Sequence, residues 1–442
     1  MKSKHRNKTS LAFLLALSAF SGIHAQDRVS LSLQQCRDLA LSNSEELQQS
    51  DLKLQQSRLD RQIARTAYFP KLEASATGAY VFPDMDIMGM DLRMRGMYMA
   101  GFTLTQPLYA GGQIMAGKHL SDIGGAVAQE QHRMTRMDVL AEAEKSYWTL
   151  LAVQSKVLML EGYREQMDSL YSQIAVMVQN GLATNDALLQ IEAERSNVSY
   201  QLKKVQNGAD LCRLSLCRVT GLSYDTSFLL ADTAIHVAEP VLSSAGVEAR
   251  PELRLLEHQV DAAREQVKLT RAGMLPTVGL MAGYTYYGNI KLNSMVDAGN
   301  GVLMPYEQEF KDGLGAVMLS VKVPLFQWGA NLKKVRKNKL DVRNAELDLQ
   351  KNKRFLELDL QRAAHQVQDG YQLILAAESS LQHASEHLRV VRNRYQSSMA
   401  LLSDLLDARA KLLQAKSNLI EAKTQYKIAE LEYLRASGRL DS

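Results

Sequence analysis

The residues that most suggest chemistry are two histidines that flank a carboxylate, in the run His383-Ala384-Ser385-Glu386-His387. Imidazoles four residues apart share one face of a helix, and this order of residues is that of the inverted zinc-peptidase motif. The chemistry would be hydrolysis at a zinc ion. The run lies inside a long coiled-coil pattern, where a substrate cleft has no room. We therefore expect a solvated helix face and no metal site.

A second run, Gly112 to His119, nearly spells a phosphate-binding loop, and it follows a strand pattern and opens a helix as that loop does. His119 stands where the loop needs a hydroxyl group to hold magnesium. The chain also lacks the alternation of strands and helices that predicts a parallel sheet. We therefore expect no nucleotide, no other cofactor and no enzyme activity.

The beginning of the chain predicts export. In residues 1–25, four basic side chains precede an apolar run from Leu11 to Ile23, which is followed by the small-residue exit at Ala25, a pattern typical of a secretory signal. The exported chain would begin at Gln26, without a cysteine there to carry a lipid anchor. The rest of the chain has equal numbers of acidic and basic residues. A chain with no basic excess or basic stripe is not expected to bind nucleic acid.

The sequence also repeats its own pattern, with repeat one at about 26–221, repeat two at about 249–438 and a linker at about 222–248. Each repeat contains a proline-bounded strand pair, a turn with glycine, a very long helical stretch and a second helical stretch. They close at Gly221 and Gly438. Two copies indicate one pseudo-symmetric structure, because solenoids need three or more units.

The helical stretches keep an apolar period of seven, which predicts left-handed supercoiling. Between residues 402 and 437 one such row is Leu405, Leu412, Leu419, Tyr426 and Tyr433. The proline-free stretch 113–180 would run roughly 100 Å as one helix. The shorter helices predicted over 33–67 and 185–217 reach nearly the same length if stacked end to end. These lengths predict the wall of a long cylinder.

Four strands are predicted at about 70–83, 97–107, 276–287 and 314–324. Apolar and polar residues alternate in the first and third, with aromatic residues near the ends, which is typical of membrane barrels and also of half-buried sheets in general. Four strands cannot close a barrel, and an open sheet edge cannot lie in lipid. Copies of the chain must therefore assemble, and three copies would supply about 12 strands.

In the order and duplication of its motifs the chain resembles the TolC family of outer-membrane efflux proteins over essentially all of its exported length. The motifs are Pro107 to Gly112, Pro324 to Gly329, Gly181 to Leu189, Ser398 to Asp407, Gly221 and Gly438. The resemblance implies a mainly α fold with a small β part, in which coiled-coil helices form an α-barrel. Four transmembrane strands per protomer would close a barrel of about 12 strands in a homotrimer.

The resemblance also implies a function. The protein would be the passive exit duct of a tripartite efflux or type I secretion system, located in the outer membrane and extending into the periplasm. Its partners would be a periplasmic adaptor protein, an inner-membrane pump and outer-membrane lipid. The alternative is a periplasmic coiled-coil structural or adaptor protein without a pore.

A gate at the periplasmic end is part of what the resemblance implies. Tyr395, Asp404 and Asp407 match the family's spacing. The two aspartates would form stacked carboxylate rings that favour cations, and Tyr395 would pair with Asp186 of the neighbouring hairpin. Since Asp404, Asp407 and Asp186 all lie where helices begin, helix capping and dipole compensation are alternative roles.

The two turns would be the docking surface for the adaptor. Their residues are Gly181, Leu182, Ala183, Thr184, Ser398, Met399, Ala400 and Leu401. Ala400 stands where the family has an arginine, and Ser398 where it has a glycine, so one tie of the family's closed gate is missing.

A methionine-rich stretch between residues 84 and 99 is a further candidate site. Thioethers are soft ligands that suit Cu(I), which would fit export of copper or silver. The chain holds 19 methionines in all, and a flexible apolar surface loop is the favoured interpretation. The methionines of this stretch are Met85, Met88, Met90, Met94, Met97 and Met99.

Overall fold

The structure is a computed structural model that describes residues 29–242, 246–297, 299 and 301–441. The predicted signal segment, 1–25, lies outside the described residues.

The described chain divides into two compact units, each with segments from both predicted repeats. Unit 1 combines the described residues up to Ser44 with Val139–Val241 and Gln366–Glu432. Unit 2 combines Glu45–Asp138, Leu242–His365 and the described residues from Tyr433 onward.

The described residues form a mainly α chain with a smaller β part, as predicted. The helices are α1 Leu33–Asn43, α2 Glu45–Thr66, α3 Gln113–Gln179, α4 Asn185–Thr220, α5 Pro251–Ala272, α6 Ala330–Gln396 and α7 Leu402–Ala436. The strands are β1 Val29–Leu31, β2 Lys71–Tyr80, β3 Met85–Ile87, β4 Met90–Arg93, β5 Arg95–Ala110, β6 Phe228–Leu230, β7 Thr277–Asp297 and β8 Leu303–Lys322. Within this described part, none of the helices combines the length and the apolar character that crossing a bilayer requires.

The prediction of a single helix over 33–67 is wrong in one respect, because two helices occupy this stretch. Ser44 is extended (φ −65°, ψ 118°) and ends α1, with its N–H donating to the Ala40 carbonyl. The Asn43 side chain donates to the Thr220 carbonyl at 2.8 Å and so ties this break to the end of α4. Acidic residues in the first turn of α2 favour a new helix start, because they oppose the positive end of the helix dipole.

The linker predicted over 222–248 contains β6, which pairs in parallel with β1. Sequence analysis did not predict either of these three-residue strands. Two tyrosine hydroxyls fix the chain that follows, since Tyr147 donates to Asp232 at 2.6 Å and Tyr426 donates to the Ala238 carbonyl at 2.9 Å. Both rings are fully buried, so this segment is held against the helices of unit 1.

The main sheet is antiparallel, in the order β2, β5, β7, β8, and β4 pairs with the far part of β7. The predicted strand bounds are wrong for the second half. The third strand continues to Asp297 rather than 287, and the fourth begins at Leu303 rather than 314. A bulge after Tyr287, with Asn289 at φ +62°, shifts the register and breaks the alternation on which the predicted end was based.

Two further bounds are corrected in the first half. The second strand begins at Arg95 and ends at Ala110, where the sequence predicts 97–107.

The methionine-rich stretch predicted as a loop contains the short hairpin of β3 and β4. Met88 lies at the turn of this hairpin and is 96% exposed. Pairing of β4 with β7 therefore gives order to a segment that composition alone marks as loop.

The register places the alternating residues on two distinct faces of the sheet. One face carries the rows Leu72, Leu104, Ala282, Val317 and Ala74, Phe102, Tyr284, Gly315. The opposite face carries the rows Lys71, Thr105, Met281, Met318 and Glu73, Thr103, Gly283, Ala316. One face is thus apolar, and the other mixes polar residues with methionine, glycine and alanine; the polar residues of its two rows lie on β2 and β5.

Candidate functional site at the two hairpin tips

Two turns in unit 1 join antiparallel long helices. The first tip, residues 180–184, joins α3 to α4, and the second tip, residues 397–401, joins α6 to α7. At the first tip, Gly181 N–H donates to the Val178 carbonyl at 3.0 Å and Leu182 N–H donates to the Met177 carbonyl at 2.8 Å. This pair of bonds is the Schellman ending of a helix.

The second tip repeats this geometry. Ser398 N–H donates to the Tyr395 carbonyl at 3.0 Å, and Met399 N–H donates to the Arg394 carbonyl at 2.7 Å. Gly181 and Ser398 both adopt left-handed backbone, at φ +70° and +58°. The duplication seen in the sequence therefore extends to individual hydrogen bonds, although a serine occupies the glycine position of the second tip.

Replacing Ser398 with glycine is expected to stabilise the protein by about 0.5–1 kcal/mol, because a side chain in left-handed backbone crowds the following carbonyl. The reverse change at the matched position, Gly181→Ser, is expected to cost a similar amount. Thermal unfolding of both variants followed by circular dichroism measures the difference. A lower melting temperature for Ser398→Gly would show that the serine hydroxyl stabilises the turn.

In the single chain, both tips expose apolar side chains to water. Leu182 is 73% exposed, Met399 is 77% exposed and Leu401 is 71% exposed. The backbone beneath them is fixed by the bonds described above and by Thr184, whose hydroxyl accepts from Ala187 N–H at 3.4 Å. Both tips therefore present apolar residues on a defined backbone.

The predicted carboxylates have different local partners. Asp404, in the first turn of α7, accepts from Leu401 N–H at 3.0 Å. It therefore has the alternative role predicted for it, which is to cap the start of the helix. Asp186 does not cap α4, since Thr184 is the N-cap and Asp186 accepts from the Gln190 side chain at 2.8 Å. Its pairing with Tyr395 stays a prediction.

Asp407 lies three residues after Asp404 and hence on the same side of α7. It forms an ion pair with Lys411 at 2.7 Å, and both side chains are about three-fifths exposed. An exposed pair of this kind adds little to stability. Both carboxylates are exposed in the single chain, and their role as rings that favour cations stays a prediction.

Tyr395 packs at the edge of the apolar cluster that lies under both tips. The fully buried members of this cluster include Met167, Ile174, Ile191, Val198, Leu405 and Ala408. Burial raises the pKa of Tyr395, so its hydroxyl stays protonated and can donate a hydrogen bond at any physiological pH. The cluster contains residues of α3, α4, α6 and α7, and so holds the two hairpins together.

A layer of polar groups beneath the tips was not predicted from the sequence. Arg195 donates to Asp168 at 2.7 Å through Nε, and its guanidinium lies 4.3 Å from the centre of the Tyr171 ring. The hydroxyl of Tyr163 donates to Glu194 at 3.2 Å. Arg195 interrupts an otherwise apolar heptad row, and this break was the available signal.

The histidine pair and its carboxylate lie exposed along α6. Glu386 accepts two hydrogen bonds from Arg389, at 2.6 and 2.8 Å, and these bonds lower its pKa. His119, at the end of the loop that resembles a phosphate site, lies 3.5 Å from Glu265 of α5. Each motif thus has ordinary helix-surface contacts.

Residues 36–222 and 242–439 match the sequence model of the family described as outer membrane efflux protein. The chain belongs to the outer membrane efflux protein family. Among its relatives, the probable outer membrane lipoprotein SilC of Salmonella typhimurium is 20% identical over 410 residues, which cover 90% of this chain and 84% of SilC. The alkaline protease secretion protein AprF of Pseudomonas aeruginosa is 24% identical over 447 residues, which cover 97% and 86%.

Solved structures agree on the fold of this outer membrane efflux protein. The outer membrane protein VceC of Vibrio cholerae superposes with a TM-score of 0.73 at 19% identity, covering 92% of this chain and 96% of VceC. The prediction of an outer-membrane channel that extends into the periplasm is confirmed. The family consists of transport channels and is not a family of enzymes.

Proposed function

We propose that the protein is the homotrimeric exit duct of a tripartite system, which takes substrates at its periplasmic tips and releases them through a barrel shared by three copies. The observation that carries this proposal is the state of the sheet edges. In the described chain β2 and β8 each pair on one side only. Their unpaired N–H and C=O groups could not lie in lipid, so β8 of one copy pairs with β2 of the next.

The helices next to these edges carry matching apolar surfaces. Apolar residues on α2 and α6 recur in steps of three, four, seven or eight and are 47–65% exposed in the single chain. They are Leu52, Leu59 and Ile63 on α2 and Leu340, Leu347, Phe355 and Leu358 on α6. Because α2 leads into β2 and α6 follows β8, pairing of the strands would bring these two stripes together and bury them.

The two tips would be the gate and the docking surface. Three copies would bring the carboxylates of Asp404 and Asp407 into two rings that attract cations, with Tyr395 and Asp186 helping to hold the hairpins in place. The exposed apolar residues Leu182, Met399 and Leu401 would contact the periplasmic adaptor, since exposed apolar groups on a rigid backbone favour a protein partner.

The cargo would be whatever the partner pump delivers. AprF is named for alkaline protease secretion, and TtgF of Pseudomonas putida, 22% identical over 387 residues, is named for toluene efflux. Relatives therefore serve cargoes that differ greatly in size. The energy would come from the inner-membrane pump, and this chain would supply a path.

Single-channel recording of the detergent-extracted protein in planar bilayers, together with its mass in detergent, tests the proposal. A trimer with a small conductance is the expected result. Leu59→Gln/Ile63→Gln should lower the yield of trimer, whereas Arg58→Gln, beside the stripe, should not. A monomer that is soluble without detergent and does not conduct would instead support the periplasmic coiled-coil alternative.

A further inference from the structure

Arg409 of α7 is half-buried between the two hairpins, below the second tip. Its Nη1 donates to the carbonyl of Gln166 on α3 at 3.3 Å, so it joins the second hairpin to the first. Its Nε is shielded from solvent and has no hydrogen-bond partner among the described residues. A shielded donor without a partner costs stability, so the presence of this arginine needs an explanation.

The charged and titratable neighbours of Arg409 come from the helices packed against α7. They are Tyr163 on α3 and Tyr395 and Arg392 on α6. Burial and then repulsion by Arg392 lower the pKa of Arg409, and the two tyrosines oppose this effect. Tyr163 in turn donates to Glu194 on α4. In the described structure no carboxylate is among these direct neighbours, and the guanidinium donates to the Gln166 carbonyl.

We propose that Arg409 is a positioning residue for the gate, which fixes α7, and with it Asp404 and Asp407, against Tyr395 and the first hairpin. This inference rests on the proposed function of the tips. Arg409 lies two residues after Asp407, so any shift or rotation of α7 that breaks its bond to Gln166 also moves the carboxylates. Loss of this bond is therefore coupled to movement of the two carboxylates.

Replacing Arg409 with methionine tests the proposal, because methionine keeps the length of the side chain and removes the charge. The channel is expected to open more readily, with an open probability about fivefold higher or more. Thermal stability should stay the same or rise, since a half-buried charge without an ionic partner is replaced by an apolar group. A purely structural role predicts the reverse, which is lower stability with unchanged conductance of the remaining trimers.

Arg389→Met is the control, because Arg389 is an exposed arginine of α6 that pairs only with Glu386 in the described chain. Its conductance should equal that of the wild type. If wild type conducts and Arg409→Met conducts identically, the role of Arg409 is refuted while the channel stands. If wild type does not conduct at all, the proposed function itself fails.

Arg409→Lys adds a pH profile that a structural role would not produce. Burial and the nearby Arg392 would lower the pKa of the lysine, so it would be charged at lower pH and neutral at higher pH. The neutral amine cannot hold the hairpins, and the open probability of this variant is expected to rise as the pH rises toward the ordinary lysine pKa of about 10.4. The wild type should be flat, because arginine stays protonated and burial raises the pKa of both Tyr163 and Tyr395. A flat profile for Arg409→Lys would count against the proposal.

Discussion

Asp404→Asn/Asp407→Asn is expected to abolish block of the channel by a trivalent cation, with apparent affinity reduced about 100-fold or more. Three copies would present six carboxylates at the narrowest point, and the variant removes all of their charge. Asparagine is as good as aspartate at a helix start and keeps an oxygen for Leu401 N–H. The fold of the second tip should therefore survive.

Planar-bilayer recording during titration with a trivalent metal complex measures this block. Asp210→Asn is the matched control, since Asp210 is an exposed carboxylate on α4 that lies 24 residues after Asp186, roughly 36 Å along the helix. Its block should equal that of the wild type. Unchanged block in the double variant would place the narrowest point elsewhere in the channel.

Gly101→Ala is expected to prevent assembly of the barrel. A Cβ atom at Gly101 of β5 would lie 2.3 Å from the Tyr284 carbonyl oxygen and 2.8 Å from the Thr285 Cα atom. Both are backbone atoms of β7, so no side chain can turn away, and the paired strands must separate. Such overpacking costs about 1–3 kcal/mol in each copy, and a trimer contains the clash three times.

The amount of heat-resistant trimer in isolated outer membranes, followed by electrophoresis at rising temperature, measures the effect. Gly78→Ala is the matched control, because a Cβ atom there meets nothing within 4 Å although Gly78 lies in the same sheet. It should assemble like the wild type. Equal trimer in both variants would mean that β5 and β7 are farther apart in the assembled barrel than in this structure.

The long helices were predictable because their signal is local and repeated. No proline interrupts α3 or α6, and apolar residues at heptad steps mark α4 and α7. The break at Ser44 was missed because a single serine changes neither the composition nor the period. The acidic pair that follows it, Glu45 and Glu46, was the available sign of a new helix.

The far parts of β7 and β8 were not predictable from alternation. The bulge at Asn289 moves the following residues to the other face, so a strict period of two ends at Tyr287 while the hydrogen-bonded ladder continues. Pairing partners supplied by the long hairpin, rather than the pattern within one strand, determine how far these strands run.

At the candidate site, sequence spacing was sufficient for residues that share one turn or one helix. Asp404 and Asp407 are found where a helix-starting pattern predicts them. Arg409 was not predicted, because its partner Gln166 lies 243 residues away and a basic residue in a heptad pattern is usually solvated. Its importance comes from the packing of four helices, which no local pattern encodes.

The open edges of β2 and β8 also have a genetic consequence. Each seam of the proposed barrel joins β8 of one copy to β2 of the next. A chain with one damaged edge strand therefore disrupts trimers whose other two chains are intact. In a cell that makes equal amounts of both chains, random assembly in threes leaves only about one barrel in eight without a damaged copy. Alleles that damage an edge strand are thus expected to be dominant, whereas alleles that prevent export are expected to be recessive.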